Sequence, residues 1–507
     1  MQLHSVVLLH LLLPVPRAGA GGAGAAGADA GAGASAGAVS PTRLRIEYMD
    51  SPLGLDVPSP RFSWALASSQ RGSGQSAYAL HVSEALPALP GACFNWSSGR
   101  IESNQTLNVR CNGMRALPQD RSFTFTVTVW DTDGGQQTAS GSFTTGIVNW
   151  FGARWVGLQG AGSAGGFQAR KALLFSKPVR RAFVYASGLG YYKLDVDGKR
   201  ASTHELGSFT TFDKRVYYDT LDVTEQIATA SALRRPCVLG ITVGPGWSSL
   251  LGVGPPTFRM RVSIVFEDGT TEQVVSDDSW HATPGAVISS NIYDGVVYNA
   301  SKEAPGWATA SFVEDTAWSP VALLAGPPGG NTVKYSSHAV LPPVRIGQSY
   351  TPCDRWEVEN SPGTFLFDFC QNMAGFTTLK IKEGVFTAAN VTQVHAEAVH
   401  GPKPAGVYNQ LAMYTKQTNT YITRGDGKAT SYTPLFTFAG FRYVQIEGLP
   451  FVPDFSTLQA HFIHTDFELS GDIEFSAPLL NAVQHAARAS ALSNFQSIPS
   501  DCPQRCA

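Results

Sequence analysis

The stretch SFTFTVTVWD, residues 122–131, places an apolar or aromatic side chain at every second position. A period of two belongs to a strand with one buried face, because successive side chains leave opposite sides of a sheet. AYALHVS at 77–83 shows the same alternation, and clusters such as DTDGG at 131–135 mark turns between runs. A chain patterned this way buries its apolar faces by packing sheet on sheet. The 51 glycines and 31 prolines supply the many turns this needs.

The alternation divides into three blocks. Between 43 and 147, about seven short strands predict a sandwich of fibronectin type III kind. Trp64 and Trp130 are its bulky core candidates; the competing role for such residues is stacking against sugar rings. From 152 to 335, AFVYASGLGYYKLDVDGKR and RMRVSIVFEDGTT predict a second sandwich, with Asp-Gly in FEDGTT marking a hairpin. From 340 to 468, FLFDFCQNMAGFTTLKIK and FRYVQIEGLP predict a third.

The pattern changes after that. Ser476 is a candidate N-cap, and Leu479, Leu480, Val483, Ala486, Ala487 and Ser490 recur at helical spacing, predicting a helix near 477–494. An amphipathic helix needs a partner surface, so this stripe is expected to be only partly covered.

Residues 1–42 are not expected to join the fold. Val6 to Leu13 form an apolar run broken only by His10, ahead of Ala18-Gly19-Ala20, which suits a signal peptide and predicts secretion. The following Gly/Ala/Ser stretch lacks side chains able to offset the entropy of ordering. Four N-x-S/T sequons, at Asn95, Asn104, Asn299 and Asn390, point the same way. Of seven cysteines, Cys93 and Cys111 share one small domain and could pair; the other reading leaves all seven free. No Cys/His grouping has zinc spacing, and His395, His461 and His464 show none. A formal net charge of −2 without a basic run argues against nucleic-acid binding. No segment reaches the roughly 18 apolar residues of a membrane span.

Several motifs together resemble the α-L-rhamnosidase family of glycoside hydrolases. RIEYMDSPLGLDVPSPRFSW (45–64), GLGYYKLDVDGKR (188–200) and TFDKRVYYDTLDVT (211–224) resemble its first two sandwiches. FDFCQNMAGF (367–376), HAEAV (395–399), NTYITRGDG (419–427) and FTFAGFRYVQIEGLP (436–450) resemble its concanavalin-like sandwich, and SIPSDCPQR (497–505) the opening of its six-hairpin (α/α)6 catalytic barrel. The resemblance implies an all-β chain of three consecutive sandwiches, fibronectin III-like and then two jelly-roll-like, followed over 471–507 by an α-helical stub of the barrel. It also implies an inverting hydrolase acting on terminal α-L-rhamnose of glycosides or polysaccharides.

Such hydrolysis uses one carboxyl group to protonate the leaving oxygen and a second to activate water. In the family's pattern Asp-Cys-Pro-Gln-Arg precedes an acidic residue and the glutamate taken as general acid; here Cys506 and Ala507 stand in those places. The chain is therefore expected to be a truncated form without catalytic acid or base. Asp501 and Arg505 match the family's sugar-contacting positions, the alternative being a solvated tail. Cys370 replaces a family glycine, which implies a local backbone shift, and Val296 replaces an acidic residue in YDGVVYNAS (293–301). Some relatives bind rhamnose with calcium in the second sandwich, and Val296 puts that site in doubt; Asp213 and Asp294 are its nearest candidates, or simple turn caps. Glu397 reads as a solvated strand carboxylate. The other class of function open to this chain is a non-catalytic, secreted or cell-surface carbohydrate-binding protein.

Overall fold

The computed structural model describes residues 38–85, 94–160, 162, 164–408 and 415–503. The signal-like segment, most of the Gly/Ala-rich leader, Cys93, Arg505, Cys506 and Ala507 lie outside them.

The alternation at Ser122–Asp131 folds as written: Phe123, Phe125, Val127 and Val129 are buried. That strand lies between Gln75–Glu84 and Gln136–Thr144 in a four-stranded antiparallel sheet, closed by Asn95–Glu102. A three-stranded sheet of Ser40–Ile46, Arg61–Ala67 and Val109–Arg110 packs against it. The first sandwich extends before the expected boundary at 43, because Ser40 already pairs with Ala67. Trp64 is core, edge-on to Tyr78 at 5.3 Å, with its Nε1 donating to Gln75 Oε1 at 2.9 Å. Trp130 is not: it has the wrong parity for the inward set, and the Arg100 guanidinium covers its ring at 4.8 Å.

The second block is a true two-layer sandwich. One layer centres on Val179–Leu189 between Arg215–Asp222 and Thr257–Phe266; the other on Cys237–Gly244 between Tyr191–Val196 and Phe167–Leu173. Val184, Leu194, Ile241, Val262 and Trp280 fill the space between them. The Asp-Gly hairpin forms, with Val265 opposite Thr271 and Asp268 Oδ1 accepting from the Thr270 amide at 2.9 Å.

The third block is built on a ten-stranded sheet, with a separate two-stranded one formed by Ala398–Val399 and Val407–Tyr408. Its backbone is the 17-residue strand Phe365–Ile381, which pairs with Asp354–Glu357, Ala439–Glu447 and Leu458–Thr465. The sheet also recruits Val287–Asn291 and Gly295–Asn299, through a parallel pairing of Val297 with Thr420. YDGVVYNAS therefore sits on the third sheet and not within the second sandwich, whose sequence block contains it. The seam is tight: a Cβ on Gly244 would stand 2.1 Å from the Phe436 ring.

The terminal helix is Pro478–Ser493. Ala477 and not Ser476 is its N-cap, with Pro478 at the first turn, where a missing N–H costs nothing. Asn481 reaches back, donating to Phe475 O and accepting from Phe475 N, both at 2.8 Å. As expected, the apolar stripe is largely uncovered: Leu479 is 74% exposed, Leu480 48% and Val483 58%. No described helix is long and apolar enough to cross a membrane.

Candidate functional site

The third sheet carries an irregularity at FDFCQNM. Its pairing with Ala439–Glu447 runs regularly to Asp368, opposite Tyr443, and resumes only at Met373, opposite Phe441. The residues between form a bulge that pushes Cys370 and Asn372 outward while Phe369 stays buried. Bulges re-aim side chains in this way at functional edges.

Three interactions hold the bulge. Asp368 is gripped at both oxygens by Arg442, Nε to Oδ1 and Nη2 to Oδ2, each at 2.8 Å. Asp368 Oδ1 also accepts from the Cys370 amide at 2.7 Å. A disulfide joins Cys370 to Cys353. Cys370 keeps the left-handed backbone that glycine favours, at φ +57°. A residue other than glycine thus takes a strained conformation here, and its side chain is used as a cross-link.

Beside the bulge lies a cleft of about 380 Å³. Asn372 Nδ2 donates to Glu397 Oε1 at 2.7 Å on one wall, and His485 and Ser490 of the terminal helix, with Asn494 just past its end, form the other. Glu397 is thus not a lone solvated carboxylate; it belongs to a concave group of amide, carboxylate and imidazole, the donors and acceptors that sugar hydroxyls need. No sequence periodicity marks it, since the cleft exists only where the bulge meets the helix.

The segment after the helix is docked on the strand Leu458–Thr465. Gln496 Nε2 donates to Ile463 O at 3.1 Å, and Thr465 Oγ1 bridges to Phe495 O and the Ser497 amide. Ser497 Oγ accepts from the Phe209 amide at 3.0 Å, tying this segment to the second sandwich. Asp501 is exposed and lies two residues before Pro503, which lines the cleft. Arg505 lies outside the described residues.

The other candidates fall elsewhere. His395 is fully buried between Thr377 Oγ1 and Gln417 O, and burial pushes its pKa down to about 4. His461 bridges Ser349 and Thr378, and His464 contacts Thr465 O. Among the described residues one group of three potential metal ligands converges, Cys353, Asp368 and Cys370, and the disulfide and Arg442 already engage it. Val296 is buried, Asp213 is exposed, and Asp294 Oδ1 accepts from the Lys416 amide. Burial raises the Cys111 and Cys237 thiols to about 12, so neither offers a thiolate at neutral pH.

A polar cavity lies in the second sandwich, lined in part by the stretches 188–200 and 211–224. His338 places Nε2 at 2.5 Å from Ser208 Oγ and Nδ1 at 3.4 Å from Asp219, which also takes the Tyr192 hydroxyl. It measures about 40 Å³, room for water and not for a sugar.

Comparison with known proteins bears on all three sandwiches. Residues 41–149 match the Rha78A-like N-terminal immunoglobulin domain, 177–346 the alpha-L-rhamnosidase N-terminal domain, and 358–464 the bacterial alpha-L-rhamnosidase concanavalin-like domain. An alpha-L-rhamnosidase of Formosa agariphila is 28% identical over 90% of this chain and 51% of its own length. One from Alteromonas sp. is 30% identical over 92% of this chain and 52% of its own. The solved alpha-L-rhamnosidase of Dictyoglumus thermophilum superposes with a TM-score of 0.83 at 31% identity, over 93% of this chain and 54% of that one. The chain spans about half the length of these relatives.

Proposed function

This chain belongs to the α-L-rhamnosidase family, and from that premise we propose that it descends from inverting hydrolases of terminal α-L-rhamnose in glycosides or polysaccharides and that its described residues bind the sugar. The observation that carries the reading is the unbroken likeness across three consecutive β domains in the family's order. Within these residues we assign neither a general acid nor a general base. An inverting pair stands about 6.5–9.5 Å apart across the sugar, and the resemblance of SIPSDCPQR to the family's barrel opening implies that Cys506 and Ala507 fall at the family's acidic positions.

The role left to the described residues is recognition. Glu397, Asn372 and His485 line the cleft, and Asp501 lies at its end of the chain. That observation also favours the second reading, a carbohydrate-binding protein without hydrolytic activity. Secretion is part of both proposals and is supported by the signal-like segment and by the Cys353–Cys370 disulfide, which persists in oxidising compartments.

The test is an assay of the purified 507-residue chain on an aryl α-L-rhamnoside, with calorimetric titration of L-rhamnose alongside. Sugar binding without turnover is expected. Turnover above buffer that disappears in Asp501→Asn would overturn the assignment of no catalytic pair, and absence of both binding and turnover would overturn the recognition role.

A further inference from the structure

Three side chains from three separate elements converge at the polar cavity of the second sandwich. Ser208 lies on the loop before the strand Arg215–Asp222, Asp219 on that strand, and His338 at the start of the short helical turn His338–Val340. Ser208 Oγ stands 2.5 Å from His338 Nε2, and His338 Nδ1 stands 3.4 Å from Asp219 Oδ1. Nδ1 faces a carboxylate, which accepts, so the ring proton sits there and Nε2 accepts from the serine hydroxyl. A hydroxyl bonded to an imidazole that a carboxylate orients is the arrangement that activates a nucleophile, whatever the fold or chain order. The longer second contact falls in the looser range of such groups without substrate.

Each member is held from behind. Asp219 Oδ2 takes the Tyr192 hydroxyl, which leaves Oδ1 to the imidazole. The Tyr217 ring packs edge-on to His338 at 5.9 Å. Ser337 caps the His338 turn, accepting from the Ala339 amide at 3.1 Å, and its own amide donates to Asp56 Oδ2 at 2.6 Å. The Phe209 amide donates to Ser497 Oγ at 3.0 Å and fixes the loop just past Ser208.

The surrounding space is graded in size. Ser208 and His338 are half-buried and both line the cavity. Its 40 Å³ or so is the room of about one or two waters, enough for a two-carbon acyl group and too little for a sugar ring. Through Thr210 and Tyr217 it borders an open cleft of about 590 Å³, which Phe209 also lines. Aromatic rings beside hydroxyl groups in a cleft of that size suit a sugar. The amides of Gly207 and Ser208 donate to no acceptor among the described residues, and both residues line the cavity. They are the donors available to an oxyanion.

We infer that the second sandwich carries an ester-hydrolysing site for small acyl esters, acetyl above all, of sugar hydroxyls, with Ser208 as nucleophile, His338 as its base and Asp219 orienting the imidazole. Ser208 Oγ adds to the ester carbonyl while its proton passes to His338 Nε2. The bond from the acyl carbon to the sugar oxygen breaks as that oxygen takes the proton. Water then gives a proton to Nε2 and adds to the acyl carbon. The bond to Oγ breaks, Oγ regains the proton, and the carboxylic acid leaves. This chemistry is separate from glycoside cleavage. The sugar half of the inference rests on the family reading; the ester half stands on the three side chains.

The purified 507-residue chain, assayed on p-nitrophenyl acetate and on O-acetylated L-rhamnose and treated with a fluorophosphonate, tests it. Acetate release from both esters is expected, with the phosphonyl adduct found on Ser208 by peptide mass spectrometry. Ser208→Ala should lower turnover about a hundredfold or more and abolish the adduct, and His338→Gln should lower both. Ser311→Ala, which alters an exposed serine elsewhere, should change neither. The adduct on the unaltered chain decides even where a variant fails to fold. No release from either ester, an adduct absent or on another residue, or undiminished turnover in Ser208→Ala would each overturn the site. Release from p-nitrophenyl acetate alone would overturn the sugar half. Neither probe contains a glycosidic bond, so failure here is distinct from failure of the rhamnoside reading.

Discussion

Cys353 and Cys370 are joined across Asp368, so that the bulge facing the polar cleft is cross-linked to the strand beside it. The bond closes a loop with a sequence separation of 17. Loops of this size stabilise by about 3 kcal/mol through the unfolded chain. The double substitution Cys353→Ser with Cys370→Ser should lose about that much in urea denaturation. Cys353→Ser with Cys370→Gly should lose about 1 kcal/mol less, because glycine relieves the φ of +57°. Equal losses in the two would show that the backbone conformation carries no cost there.

Asp120→Asn keeps the shape of the buried cluster where the first and second sandwiches meet and removes the carboxylate charge that Arg181 and Arg261 share. Breaking a buried pair by deleting one partner typically costs about 3–5 kcal/mol. Two guanidinium groups would then face each other across a neutral amide. The expected result is a loss of that size in chemical denaturation, with the unfolding of the first two sandwiches separating into distinct steps. A loss below about 1 kcal/mol would mean that solvent already screens the site.

What the sequence reveals here is what is local. Alternation at 122–131 and the Asp-Gly hairpin fold as read because strand period and turn chemistry are set by neighbours. The outward turn of Trp130 is also written in the same run, since burying 123, 125, 127 and 129 necessarily turns 130 outward, against the core role its bulk suggests. The Cys353–Cys370 bond was out of reach, since nothing local distinguishes these among seven cysteines. Asp120 met its two arginines only through domain packing, and Glu397 became part of a cleft only through a bulge and a helix distant in sequence. Val296, noted for a missing carboxylate, is buried against a sheet that its own sequence block did not predict.

His395 gives a pH dependence with a definite sign. Burial holds its folded pKa near 4, below the ordinary 6.5, so the folded state keeps it neutral while the unfolded chain takes up a proton. Its contribution is fully retained above pH 6.5 and is lost progressively as pH falls to about 4. The span corresponds to roughly 3 kcal/mol. His395→Asn should flatten the fall of urea midpoint across that window relative to wild type, whatever it does to stability at pH 7. An unchanged slope would place the acid sensitivity in other groups.

Glu397 should matter to sugar affinity and little to folding. Its oxygen takes the Asn372 amide at the wall of the cleft, and a hydrogen bond from a sugar hydroxyl to a carboxylate contributes about 1.5–3 kcal/mol. Glu397→Ala is expected to weaken L-rhamnose binding at least tenfold in calorimetry, while the melting temperature stays within a few degrees of wild type. Undiminished affinity would remove this cleft from the recognition proposal.

The terminal helix presents Leu479, Leu480 and Val483 to solvent in one stripe. Contiguous exposed apolar surface promotes association in solution. Because these side chains make little buried contact, replacing them should cost almost no stability, within about 0.5 kcal/mol. Leu479→Lys with Val483→Glu is therefore expected to reduce concentration-dependent self-association in sedimentation velocity while leaving the denaturation curve in place. A large loss of stability would mean that the stripe is packed in solution, and unchanged association would move the adhesive surface elsewhere on the molecule.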